Sequence, residues 1–272
     1  MTNSHPYGMD MQGDSIWRNL THRCAIQENW GSKMLQNVAK QLEVYKPWNM
    51  EEKLEESCHD IVSDAPNNAP VGLRDNSNSF DKSCARKAAV LICIFEGHEG
   101  ELRVILTKRS TKLSSHPGDV ALPGGKMEEG DADDTETALR EASEEIGLDP
   151  SLIQVVAHLE PFFSKNQLRV VPVVGLLDNI GNFKPSINID EVDAIFSVPL
   201  EMFLKLDYYR YEERECKGLK YVLHLFDFES DQGTFLIWGL TASILIKIAS
   251  IIYQRPPSFK ELPDFQQVQR YC

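Results

Sequence analysis

The sequence predicts an α/β (α+β) fold in which α-helices sandwich a mixed β-sheet, and three observations predict it. Apolar runs of strand length, rich in Val, Ile and Leu, recur from Ala88 onward. Two stretches of helical periodicity stand between and after those runs, near 134–146 and 240–253. The 272-residue length suits one large domain with extra segments, at roughly 100–200 residues per domain.

Residues 1–85 stand apart from this pattern. They carry polar clusters such as Asn67-Asn68-Ala69-Pro70 and Asp75-Asn76-Ser77-Asn78-Ser79, with little sustained periodicity. Met34, Leu35, Val38 and Leu42 are the exception, spaced as one helical face that ends before Pro47. The extension reads as a short amphipathic helix that docks on the domain, followed by a mobile linker to about Asp81. In the domain itself, residues 86–257, Ala88–Phe95 reads as a buried strand and Gly97-His98-Glu99-Gly100 as a turn. Leu102–Thr107 is its hairpin partner. A Gly/Pro-rich loop spans 114–130, and a helix follows at Asp134–Ile146. Val155–Leu159, Val170–Leu177, Glu191–Ser197 and Tyr221–Phe228 complete the predicted strands. A helix over Leu240–Tyr253 closes the domain ahead of Pro256-Pro257, and residues 258–272 form a C-terminal tail.

Composition narrows the function. With 28 basic and 41 acidic residues the formal charge is −13, which repels phosphate backbones and argues against nucleic-acid partners. A small anionic substrate stays compatible, because a bound divalent cation reverses the local field. The six cysteines include no CxxC pair, so reduced thiols are expected, with Cys93 a core residue. The stretch Ile237–Ile252 is too short and polar for a membrane span. The first twenty residues show no secretory pattern, and Asp10 and Asp14 suit a transit peptide badly. The expected compartment is the cytoplasm, with the mitochondrion as the alternative. The expected partner is a small molecule, and no pattern specifies an oligomer.

The segment Lys126–Pro150 holds ten acids against two bases, so most of the excess charge sits in 25 residues. Its helix is well signposted. Asp133 caps the first turn with Glu136 three residues on, Gly147 offers a left-handed stop and Pro150 forbids continuation. At about 100° per residue, Leu139, Ala142 and Ile146 share one face and Glu141, Glu144 and Glu145 the other. That acidic face is either simply solvated or converges on Mg²⁺ or Mn²⁺, hard cations that prefer oxygen ligands. The preceding Leu122-Pro123-Gly124-Gly125 permits close approach of main chain to a ligand. A Gly-rich loop feeding an acidic helix is consistent with holding metal-bound phosphates.

These residues resemble a known family. The run Gly125–Leu148, ending Arg140-Glu141-Ala142-Ser143-Glu144-Glu145-Ile146-Gly147-Leu148, resembles the Nudix box. Gly125 lies 15 residues before Arg140 instead of 14, and Ala132 stands where the box usually has its first Glu. Leu106-Thr107-Lys108-Arg109-Ser110 and the run Leu113–Gly125 resemble the second signature of the coenzyme A diphosphatase branch, which tolerates the longer box. Leu122 replaces that signature's common Phe and Ser115 its frequent Arg. Ile237-Trp238-Gly239-Leu240-Thr241-Ala242 resembles the entry to the branch's C-terminal helix, and the likeness is greatest to plant-type members.

The resemblance implies a Nudix-type mixed sheet sandwiched by helices, and a metal-dependent hydrolysis of nucleoside diphosphate derivatives. Glu141 and Glu145 would be the principal Mg²⁺ or Mn²⁺ ligands, with Glu144 a further ligand. Arg140 would orient a catalytic carboxylate. The general base would be Glu144 or, outside the box, Glu191. Lys108, Arg109 and Lys112 are candidates for a substrate 3′-phosphate, with His116, Gly124 and Gly125 as further substrate contacts. Trp238 and Tyr209 are candidate adenine-stacking rings, with packing as the default. Coenzyme A, and possibly acyl-CoA, would be cut to 4′-phosphopantetheine and 3′,5′-ADP. The alternatives are ADP-ribose, NADH or another nucleoside diphosphate derivative as substrate, or a non-catalytic Nudix-like binding module.

Overall fold

A computed structural model describes residues 31–46, 86–164 and 168–259. The expected linker and most of the C-terminal tail lie outside the described residues. The eight-stranded sheet comprises β1 (Lys87–Glu96), β2 (Leu102–Arg109), β3 (Val120–Ala121), β4 (Gly124–Lys126), β5 (Ile153–His158), β6 (Phe162–Phe163), β7 (Arg169–Leu177) and β8 (Val192–Pro199). A second sheet of three antiparallel strands holds β9 (Tyr209–Cys216), β10 (Leu219–Ser230) and β11 (Gly233–Trp238). The described helices are α1 (Lys33–Glu43), α2 (Asp134–Ile146) and α3 (Gly239–Tyr253).

The central strand β1 is almost continuously apolar because both of its faces are covered. It runs parallel to β7, from Lys87 opposite Arg169 to Ile94 opposite Leu176. Its other edge is shared: Ala88–Val90 pair with β4 and Ile94–Glu96 with β2, both antiparallel. Side chains alternate across the pleat. Ala89, Leu91, Cys93 and Phe95 meet Ala138, Leu139, Ala142 and Ile146 of α2, whereas Ile92 and Ile94 face the cluster built with α1 and α3. Parallel and antiparallel pairings in one sheet, with helices on both faces, give the mixed α/β architecture.

Helix α1 is part of the core. Ser32 caps it by accepting the Leu35 N–H at 3.1 Å, and Leu35, Val38, Ala39 and Leu42 are buried. Gln41 Nε2 donates to the carbonyls of Ile251 and Ile252 at 2.7 and 3.1 Å, satisfying the end of α3. Glu160 ties the layers together, accepting from the Tyr45 hydroxyl and pairing with Lys247 Nζ of α3 at 2.7 Å.

Some details differ from the sequence reading. Strand β9, Tyr-Arg-Tyr-Glu-Glu-Arg-Glu-Cys, has no apolar alternation and is held by its ladder to β10. The Gly/Pro-rich loop contains the short strands β3 and β4. Packing continues to Phe259, whose ring stacks on Tyr209 with centroids 3.7 Å apart. Tyr209 is thereby engaged in packing, and Trp238 packs with Tyr221, Leu223 and Leu225. Against the expectation of reduced thiols, Cys216 is disulfide-bonded; Cys93 is free and buried. No described helix is long and apolar enough to cross a membrane.

Leu42, 1% exposed on α1, gives a direct test of this packing. Leu42→Ala is expected to lower unfolding stability by about 2–5 kcal/mol in urea titration, and a loss below about 1 kcal/mol would place α1 outside the cooperative core.

Candidate active site

Helix α2 begins and ends where its sequence dictates. Asp133 Oδ1 accepts the Glu136 N–H at 2.9 Å, and Glu136 Oε2 accepts the Ala132 N–H at 2.7 Å. At the other end Gly147 adopts φ 69°, and the Leu148 N–H donates to Ala142 O at 3.3 Å. The 183–191 loop supplies further partners: Ser186 N–H reaches Ile146 O at 2.9 Å, and Asn188 N–H reaches Glu145 O at 3.0 Å.

The apolar face of α2 is anchored on β1, which directs Glu141 and Glu145 toward β4. Backbone contact requires glycine at position 124, and the Glu141 carboxylate fills the space over Gly125. A Cβ on Gly125 would stand 2.4 Å from the Glu141 carboxyl carbon, and one on Gly124 would stand 2.4 Å from Ala89 O. Gly124 N–H donates to Glu145 Oε2 at 3.2 Å. Glu145 is only 5% exposed, and Arg109 Nη1 lies 3.9 Å from its Oε1.

Arg140 braces the other acids. Its Nε and Nη2 reach the two Asp131 oxygens at 2.9 and 3.0 Å. Nη1 donates to Glu144 at 2.9 Å, and Nη2 also reaches Glu141 at 3.2 Å and Lys126 O at 3.1 Å. Asp131 in turn accepts from Thr137 Oγ1 and Glu128 N–H, each at 2.9 Å. The box pattern counted from Arg140 does not single out Asp131. Counting back from Arg140 leads to Ala132, whereas the acid that pairs with Arg140 stands one residue earlier, six after Gly125. The spacing from Gly125 was the signal that could have found it.

Electrostatics separate these carboxyls. Burial pushes Glu145 up to about 7, against the Gly124 N–H and Arg109, while Glu141 and Glu191 add to the rise. Burial also raises Glu141; Arg140 opposes this, and Glu144 and Glu191 reinforce it. The Arg140 hydrogen bonds hold Asp131 down at about 2, in spite of its burial. Glu191 thus acts on both acids from a loop whose backbone it fastens, its carbonyl accepting the Ser110 N–H at 2.8 Å.

Among the described residues no three His, Cys, Asp or Glu side chains form a ready metal-binding group. Glu141 and Glu145 present two carboxylates beside a glycine strand. Two carboxylates completed by water and substrate oxygens match the way Mg²⁺ is held at phosphate-processing sites.

Residues 85–226 match the NUDIX domain family. The chain belongs to the Nudix hydrolase family. It is 55% identical over 201 residues to "Nudix hydrolase 15, mitochondrial" of Arabidopsis thaliana, covering 72% of this chain and 70% of that one. Identity to "Nudix hydrolase 22, chloroplastic" of the same plant is 50% over 235 residues, covering 86% and 78%. It is 37% over 204 residues, covering 74% and 84%, to "Peroxisomal coenzyme A diphosphatase NUDT7" of Mus musculus. Nudix hydrolases generally need divalent metal ions and act on small molecules.

The remaining sequence candidates fall around this Nudix centre unevenly. Arg109 contacts it directly, while exposed Lys112 pairs with Asp190 at 3.4 Å. Lys108 lies at the same end of β2, opposite Val120 and Ala194. His116 is exposed at φ 55° and its Nδ1 lies 3.1 Å from Asp119 Oδ2, a contact within its own loop.

The raised Glu145 carboxyl makes a signed prediction for the metal-free Nudix domain. Between about pH 4.5, the ordinary value, and about 7, the unfolded chain releases this proton before the native chain does, so stability falls as pH rises. Glu145→Gln removes that loss. In chelator at pH 8 the variant is expected to be about 1–3 kcal/mol more stable than wild type, with the gap closing toward pH 4. Equal urea unfolding curves at both pH values would contradict the burial of this charge.

Proposed function

We propose that this Nudix hydrolase uses Mg²⁺ or Mn²⁺ to cut coenzyme A, and acyl-CoA with it, into 4′-phosphopantetheine and 3′,5′-ADP. The observation that carries the reading is the seating of two box glutamates on a glycine strand, with Glu141 against Gly125 and Glu145 hydrogen-bonded to Gly124. Similarity to a mouse protein named as a coenzyme A diphosphatase supports the substrate class. In this reading Glu141 and Glu145 hold the cation and Glu144 adds to the set. The cation supplies neutralisation of the diphosphate oxygens and acidification of bound water. Arg140, fixed on Asp131, holds Glu141 and Glu144 in place. Gly124 and Gly125 let main chain approach the diphosphate. The proton acceptor is whichever of Glu144 and Glu191 abolishes turnover as its Gln variant at saturating cation.

A second reading, a substrate without a 3′-phosphate such as ADP-ribose or NADH, is favoured by one observation. Of the three cations expected to meet that phosphate, Arg109 faces Glu145 and Lys112 faces Asp190. His116 has no part in either reading beyond its loop. Retention of Glu141, Glu144 and Glu145 around Arg140 argues against a purely binding module. For the compartment, relatives named mitochondrial, chloroplastic and peroxisomal support an organelle, the mitochondrion foremost, over the cytoplasm.

The test is turnover of coenzyme A, 3′-dephospho-coenzyme A, ADP-ribose and NADH with each cation, with products separated by chromatography. Coenzyme A is expected to lead its dephospho form by roughly 10- to 150-fold in kcat/KM, the worth of a charge-assisted contact of ~1.5–3 kcal/mol. Equal rates for the two would favour the second reading.

A further inference from the structure

Two arginines reach the acidic cluster, and they are held in opposite ways. Arg140 makes directed hydrogen bonds to Asp131, Glu144, Glu141 and Lys126 O, and is thereby fixed. Among the described residues the Arg109 side chain has only the 3.9 Å approach to Glu145, which is charge proximity without a hydrogen bond. Its backbone, by contrast, is secured: the N–H donates to Asp119 O at 2.9 Å and the carbonyl accepts from Gly118 N–H at 3.1 Å. The pairing of β2 with β8 slips in register between Lys108 and Arg109. Such an irregularity re-aims a side chain, and bulges of this kind concentrate beside active sites. Here the side chain is aimed at the buried carboxylate of Glu145.

We propose that Arg109 is a placeholder cation, which compensates Glu145 until a divalent cation binds and then turns to an anionic oxygen of the substrate. This rests on the reading of Glu145 as a cation ligand. Arg109 supplies a countercharge to this buried carboxylate. The incoming cation brings two positive charges to the same carboxylate and repels the guanidinium a few ångströms away. Arg109 has no hydrogen bond to Glu145 to break, while Glu145 keeps its bond from Gly124 N–H. The Arg109 side chain is 26% exposed, so packing does not lock it in this position. Arg109 is therefore a positioning and binding residue that couples metal occupancy to recognition of the substrate's charge.

The experiment titrates metal-free protein with Mn²⁺ alone, following the free ion by electron paramagnetic resonance, for wild type, Arg109→Gln, Arg109→Lys and Glu145→Gln. Removal of the competing charge is expected to tighten Mn²⁺ binding at least fivefold in Arg109→Gln, a gain that misfolding does not produce. Arg109→Lys should restore the wild-type affinity. With coenzyme A as substrate, KM should rise at least tenfold in Arg109→Gln while kcat changes less. Unchanged or weakened Mn²⁺ binding in Arg109→Gln would overturn the placeholder, and an unchanged KM would overturn the transfer to substrate. Glu145→Gln separates this from the underlying reading: wild-type Mn²⁺ affinity in that variant would sink the ligand assignment itself, whatever Arg109 does.

Discussion

The guanidinium of Arg140 binds both oxygens of Asp131 and also reaches Glu141, Glu144 and the Lys126 carbonyl, so three acids and a strand end share one positive charge. It offsets part of the repulsion that Glu144 exerts on Glu141 within one helical turn. Asp131 makes this arrangement rigid, because its own oxygens are held by Thr137 and the Glu128 N–H. Charge-assisted bidentate pairing fixes direction as well as energy. The acid held lowest in pKa in the cluster is accordingly Asp131, which anchors the cation, while burial raises Glu141 and Glu145.

Packing supplies the other half of the arrangement. The apolar face of α2 is anchored on β1, and β4 pairs with the same strand, so helix and glycine strand have a common reference. Any side chain at Gly124 or Gly125 would collide with β1 or with Glu141. The glycine strand is thus held against the backbone of β1 at Gly124, with the Glu141 carboxylate lying over Gly125. Rigid elements hold a functional constellation more closely than loops do. Arg109 enters the same space from β2, through a slip in the sheet, and remains the loosely tethered member of the group.

Much of this was legible in the residues. The helix ends follow from Asp133 and Gly147, whose capping chemistry is local. The long strands announce themselves because both sheet faces are buried. The box carboxylates follow from the Arg140–Leu148 string. Asp131 escapes the count from Arg140 because an extra residue displaces the acid, whereas the count from Gly125 reaches it. The engagement of Arg109 with Glu145 depends on a register slip between strands distant in sequence. No local pattern encodes that. Strand β9 was missed for a related reason: its charged, exposed residues are extended by partnership with β10 rather than by their own alternation.

The central claim, that α2 and β4 place Glu141 and Glu145 around one divalent cation, is most directly tested by anomalous diffraction from crystals soaked in Mn²⁺. The account predicts a single strong peak beside Gly124 and Gly125, about 2.0–2.2 Å from carboxylate oxygens of both Glu141 and Glu145, with Arg140 still on Asp131. A peak coordinated elsewhere, with Glu141 and Glu145 both outside its ligand sphere, would contradict it.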